Sequence, residues 1–142
     1  SQTARPRDRS QTGLGELGAD VSDAYHGRSM AGNRLEALER LLKQGQDSAL
    51  LRFGLGRACL EAGRIQQAAE HLEAAVTLDP GYSAAWKRYA QALVQTGRIE
   101  EAAAAYQRGI AAAEGRGDLQ AAKEMAVFLK RLRRAGEKNA PT

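Results

Sequence analysis

Cysteine is almost absent from this 142-residue sequence, in which Cys59 stands alone. One thiol forms no intramolecular disulfide and builds no multi-thiolate zinc site, so folding needs no oxidising compartment. Histidine is nearly as scarce, with only His26 and His71. Together with Cys59 they supply three metal ligands without a recognised spacing, and no metal or cofactor is expected. No apolar run approaches the roughly 18 residues that a membrane-spanning helix needs. The basic start, Ser1 to Arg9, is not followed by the apolar stretch of a secretory signal. The expected setting is therefore cytoplasmic, away from membranes. Beginning at Ser1 rather than Met points to a cropped or processed start, and Met30 could be a natural first residue.

What is present is charge, unevenly spread. Lys and Arg number 21 against 17 Asp and Glu, a formal net charge of +4. Arg5, Arg7, Arg9 and Arg28 balance Asp8, Glu16, Asp20 and Asp23 in the first 29 residues, and residues 30–115 are likewise balanced. The excess lies from Arg116 onward, where Lys123, Lys130, Arg131, Arg133, Arg134 and Lys138 join it against Asp118, Glu124 and Glu137.

Residues 1–32 combine Gly, Ser, Arg and Asp with few large apolar side chains, and are expected to be a disordered tail because burial cannot offset their ordering entropy. Tyr25 to Met30 could form a loose turn. Helical periodicity then takes over. Asn33 and Glu36 have capping-box spacing, and Leu35, Leu38, Leu41 and Leu42 follow at helical intervals before Gly45. Further helices are expected over about 48–62, 66–78, 83–96 and 100–114. They are punctuated by Gly63, Pro80, Gly97 and Gly115 with Gly117. Asp118 caps a last helix carrying Leu119, Ala122, Met125, Leu129 and Leu132. No alternating strand pattern occurs, so the fold class is all-α.

The organising feature is internal repetition. Ala62 to Ala69 (AGRIQQAA) recurs 34 positions later as Thr96 to Ala103 (TGRIEEAA), with Ala58 matching Ala92, Leu60 Val94, Leu72 Tyr106 and Val76 Ile110. A helix–turn–helix period of that length resembles the tetratricopeptide repeat family. The first repeat, Ala49–Tyr82, has Leu55-Gly56, the turn Gly63, Ala68, Ala75 and Asp79-Pro80 at the family's positions. The second, Ser83–Gly115, has Trp86, Ala102 and Tyr106, but Tyr89-Ala90, Gly109 and Glu114 depart from the pattern. Stepping back one period aligns Leu38 with Leu72 and Leu41 with Ala75, which makes the first helix half a repeat. The resemblance implies a short right-handed α-solenoid of about six helices. Its parts are a half-repeat at 33–45, repeats at 49–82 and 83–115, a capping helix at 118–134, and a disordered tail at 135–142.

The same resemblance implies a non-catalytic interaction module whose first helices line a concave groove for a peptide or partner helix. The groove positions are Leu50, Phe53, Arg57, Leu60 and Glu61 in one repeat. In the next they are Ala84, Lys87, Gln91, Val94 and Gln95, with Arg88 beside them. Arg57, Lys87, Arg88 and Gln91 could bind a carboxylate while Phe53 and Leu60 give apolar contact. Phe53 and Arg57 replace the Lys and Asn of the family's carboxylate clamp. An alternative is anion or nucleic-acid binding by Lys130, Arg131, Arg133 and Arg134. A helix C-terminus favours cations in any case, and no aromatic residues interleave to stack bases.

Other constellations carry less. Gly13-Leu14-Gly15-Glu16-Leu17-Gly18 fits the dinucleotide fingerprint literally but follows no strand. Cys59 occupies a packed repeat position and is expected to be a buried, inert thiol. His71, on the second helix of its repeat, is expected to face solvent or to stack at an edge. Glu100 and Glu101 suit a helix start through the dipole alone. No small-molecule substrate is implied, and a short solenoid can also dimerise through exposed ends.

Overall fold

The computed structural model describes residues 32–138. The chain divides into two units, Ser1–Arg34 and Leu35–Thr142, and the helical array belongs to the second. Six helices follow in order: α1 over residues 32–43, α2 Ala49–Glu61, α3 Ile65–Leu78, α4 Ser83–Gln95, α5 Ile99–Gly115 and α6 Leu119–Lys138. No strand occurs among the described residues. The chain is an all-α solenoid of helix pairs. The tail, the Gly13–Gly18 fingerprint, His26 and Met30 lie outside the described residues.

Local chemistry sets the boundaries. The Ser48 hydroxyl accepts the Leu51 N–H at 3.1 Å, and the Asp118 carboxylate accepts that of Ala121 at 3.1 Å, each satisfying an orphan donor of the first turn. Helices α2 and α4 stop at glycines with φ of +78° (Gly63) and +81° (Gly97), a conformation that side chains disfavour. The turn closes by a bond from the next amide back across it: Arg64 N–H to the Cys59 carbonyl at 2.8 Å, Arg98 N–H to that of Leu93 at 2.9 Å. Gly45 and Gly117 end α1 and α5 in the same way. Gly115, expected from sequence to break the helix, is the last residue of α5, and the turn falls at Gly117. Between α3 and α4 the stop is Pro80, with the Asp79 carboxylate accepting the Gly81 N–H at 3.1 Å.

Two ends differ from the sequence expectation. Gly32 is already helical, which places Asn33 inside the first turn of α1 rather than at its cap. Helix α6 runs past residue 134 to Lys138, so residues 135–138 are helical rather than tail. A single Gly136 costs the helix only about 1 kcal/mol, and no proline intervenes.

From α2 onward each helix packs on its sequence neighbour, and the first helices of successive pairs also touch, α2 with α4 and α4 with α6. The core alternates small and large side chains. A Cβ on Gly56 would stand 2.6 Å from Leu72 Cδ2, so α2 and α3 approach as closely as they do only without one. A Cβ on Gly109 would meet Met125 Sδ at 2.6 Å and Trp86 Cβ at 2.8 Å. That crowding explains why Gly109 replaces the small alanine expected there. Leu72 is fully buried, as are Leu55, Leu93 and Met125, each contributing about 1.5–3 kcal/mol of burial. Trp86 fills the gap between repeats and donates its indole N–H to the Pro80 carbonyl at 2.8 Å. Leu41 is 36% exposed although its repeat counterpart Ala75 is buried, because α1 lies at one end of the described array.

Candidate functional site

The face shared by the first helices begins with Phe53 on α2. Its ring lies 4.9 Å, centroid to centroid, from Tyr82, just before α4, and joins the two repeats. The Arg57 guanidinium sits 5.8 Å from the Phe53 centroid, at cation–π range. Burial pushes the Tyr82 hydroxyl above its usual pKa. Arg57, Leu60 and Glu61 of α2 meet Arg88 of α4 around a hollow of about 100 Å³. Arg88 donates to Gln91 Oε1 at 3.2 Å. Gln91 is half-buried there, and Val94 packs against the core.

Lys87 is placed differently from the sequence expectation. Its Nζ lies 3.2 Å from Glu124 Oε1 and 5.9 Å from the Phe128 centroid, so α6 already engages it. That hydrogen bond, with a second from Gln120, holds the Glu124 carboxyl below its usual range. The cation brought beside Arg57 is therefore Arg88. Phe128 in turn stacks on Tyr106 at 5.9 Å and 26°. Helix α6 is thus a third wall of this face, a role not expected from the sequence. The 34-residue step hid it, because α5 has 17 residues where α3 has 14. The usable signal is Asp118, the N-cap that corresponds to Ser48 and starts a first helix anew.

Leu50 stands apart from Phe53. It is 72% exposed and, with Leu38, Leu41 and Leu51, lines a hollow of about 390 Å³ between α1 and α2. The basic end also separates. Arg131 lies seven residues, two helical turns, beyond Glu124 and shares its face. Lys130, Arg133 and Arg134 instead line a hollow of about 440 Å³ on another edge of α6, with Ala126, Leu129 and Glu137.

Among the described residues, the remaining titratable groups assemble no reactive constellation. Cys59 is buried, and burial raises its thiol pKa, which leaves it protonated and inert. Of the two placements expected for His71, facing solvent or stacked at an edge, the structure shows a half-buried ring whose Nδ1 faces Arg52 Nη1 at 3.1 Å. Asp47 grips the same guanidinium at 2.8 and 3.1 Å. Burial and the Arg52 charge both lower the His71 pKa, so Nδ1 accepts and the ring is neutral. Among the described residues, no three His, Cys, Asp or Glu side chains stand where they could hold a metal ion. No described helix is long and apolar enough to cross a membrane.

Comparison with known proteins supplies the family. Models of the tetratricopeptide repeat match residues 35–83 and 60–126. The TPR repeat-containing protein PA0015 of Pseudomonas aeruginosa is 50% identical over 101 residues, 71% of this chain and 96% of the relative. The chain belongs to the tetratricopeptide repeat family. Among solved structures, protein BPP2914 from Bordetella parapertussis is 44% identical with a TM-score of 0.64, covering 74% of this chain and 91% of that one. The Sgt2 tetratricopeptide domain from Aspergillus fumigatus is 26% identical with a TM-score of 0.68, covering 87% and 81%. MamA, at 20% identity and a TM-score of 0.57, shares the fold. Tetratricopeptide arrays are in general protein-interaction modules rather than catalysts. In this one α6 stands where the first helix of a further repeat would stand.

Proposed function

We propose that this tetratricopeptide array is a non-catalytic adaptor that holds an extended peptide or a helix of a partner protein along α2, α4 and α6. The observation that carries the reading is the convergence of Arg57, Arg88 and Leu60 around one hollow, with Arg57 also over the half-buried Phe53 ring. Two guanidiniums against the single carboxylate of Glu61 favour an acidic ligand, and Leu60 with Phe53 favours an apolar side chain next to the acid. Gln91 and Val94 extend the contact surface, Leu50 stays outside it at the α1–α2 hollow, and Lys87 contributes once Glu124 is displaced. The reading needs no small-molecule substrate and fits a cytoplasmic protein.

Titrating the labelled protein with short acidic peptides that carry one aromatic or leucine residue tests it by NMR. Saturable shifts should centre on Phe53, Arg57 and Arg88. The Arg57→Ala, Arg88→Ala double variant should bind roughly 10- to 100-fold more weakly, as expected for loss of charge-assisted hydrogen bonds. Peptides that bind equally well to that variant would refute the groove. Weak nucleic-acid or anionic-surface binding by Lys130, Arg131, Arg133 and Arg134 is a poorer reading, since Arg131 is not among the residues lining the hollow of the other three and no aromatic side chain lines that hollow to stack on bases. Affinity for single-stranded DNA that falls steeply with salt, and collapses in an Arg133→Glu, Arg134→Glu variant, would favour it instead.

A further inference from the structure

Charge alternates between the two helices of each complete pair. In the first complete pair, α2 carries Arg52 and Arg57 against Glu61, while α3 carries Glu70 and Glu73 with no Lys or Arg. In the second, α4 carries Lys87 and Arg88 with no acid, while α5 carries Glu100, Glu101 and Glu114 against Arg108. Each cationic first helix is covered by an anionic second helix. Helix α6 is the most cationic of the described helices, with Lys123, Lys130, Arg131, Arg133, Arg134 and Lys138 against Glu124 and Glu137. Among the described residues no second helix covers it.

Register says which edge of α6 is left open. Gly56 lies eight residues after the N-cap Ser48, and receives Leu72 from α3. Ala90 lies eight after the N-cap Tyr82 and is fully buried in the next pair. Ala126 lies eight after Asp118, the equivalent place, yet it is exposed. It floors the 440 Å³ hollow together with buried Leu129, and Lys130, Arg133 and Arg134 stand around it with the one acid Glu137.

We propose that this edge of α6 is a second docking surface, which receives an acidic amphipathic helix of a partner protein. The partner helix lies along α6 as α3 lies along α2. It sets a large apolar side chain over Ala126, and its carboxylates meet Lys130, Arg133 and Arg134. The surface is separate from the groove: neither Glu124 nor Arg131 lines it. Opposite charge across the contact fixes the helix register and disfavours cationic partners.

The chain supplies its own probe. A peptide of Ile65–Leu78 places Leu72 between Glu70 and Glu73 and contains no Lys or Arg; a staple on the face opposite Leu72 keeps it helical. Added to the intact labelled protein, it should saturate, with shifts at Ala126, Leu129, Arg133 and Arg134. An Arg133→Glu, Arg134→Glu variant should bind it roughly tenfold or more weakly. Ala126→Trp should block it, and Arg57→Ala should not alter it. No saturable shift up to millimolar peptide overturns the proposal, as do shifts centred on Phe53 and Arg57 or on Gly56. Displacement of the peptide by an oligothymidine at equal concentration would make the edge a nucleic-acid surface. Association of the protein with itself, blocked by Ala126→Trp without peptide, would give the surface to a second copy. Either outcome also overturns the proposal.

Discussion

Gly56 shows how much of the packing depends on a single missing methyl. An alanine there would gain about 1 kcal/mol in helix propensity but would press on the fully buried Leu72. Overpacking of a filled core costs about 1–3 kcal/mol, and the clash should win. We expect Gly56→Ala to lower stability by up to about 2 kcal/mol in urea unfolding; a variant more stable than the parent would show that Leu72 can move aside. This glycine was legible in the sequence, because Leu55-Gly56 carries the family pattern. Gly109 was legible only as a departure. Its reason, the joint approach of Met125 and Trp86, involves residues far apart in sequence and so required the fold.

At the scale of elements, the junction of α1, α2 and α3 is coupled to pH through His71. Its folded-state pKa is depressed, so the neutral ring is favoured in the fold and the unfolded chain binds more protons. The contribution is complete above the ordinary value of 6.5 and is lost as pH falls through the folded value below it. Arg52 opposes the ring's protonation, while Glu39 of α1, Glu70 of α3 and Asp47 before α2 favour it. Thermal unfolding should therefore show a lower Tm at pH 5 than at pH 7.5, and His71→Gln should shrink that difference. An unchanged difference would show that His71 is not its source, since the depressed carboxylates Asp47, Glu101 and Glu124 lose their contribution only at lower pH, below their ordinary values. Helix positions were readable from periodicity and turn residues, because those signals are local. The tertiary roles of His71 and Lys87 were not, since Arg52 lies 19 residues from one and Glu124 37 residues from the other.

From α2 to α6 each helix touches chiefly its neighbours among the described helices, so damage should stay near its origin. Met125→Ala removes a fully buried side chain from the α5–α6 contact and should cost about 2–5 kcal/mol. Hydrogen exchange should then speed up in α5 and α6 while α2 and α3 keep most of their protection; uniform loss would mean that the array unfolds as one unit. The repeat period made the array legible, and the longer α5 concealed how it ends. The glycine turns have a further meaning for the growth of such proteins. Because Gly63 and Gly97 close matching turns 34 residues apart, the stretch between them begins and ends in the same backbone state. A duplication of that stretch in the gene would join onto itself without a new connection to invent, and the protein could lengthen by whole units as a ruler does.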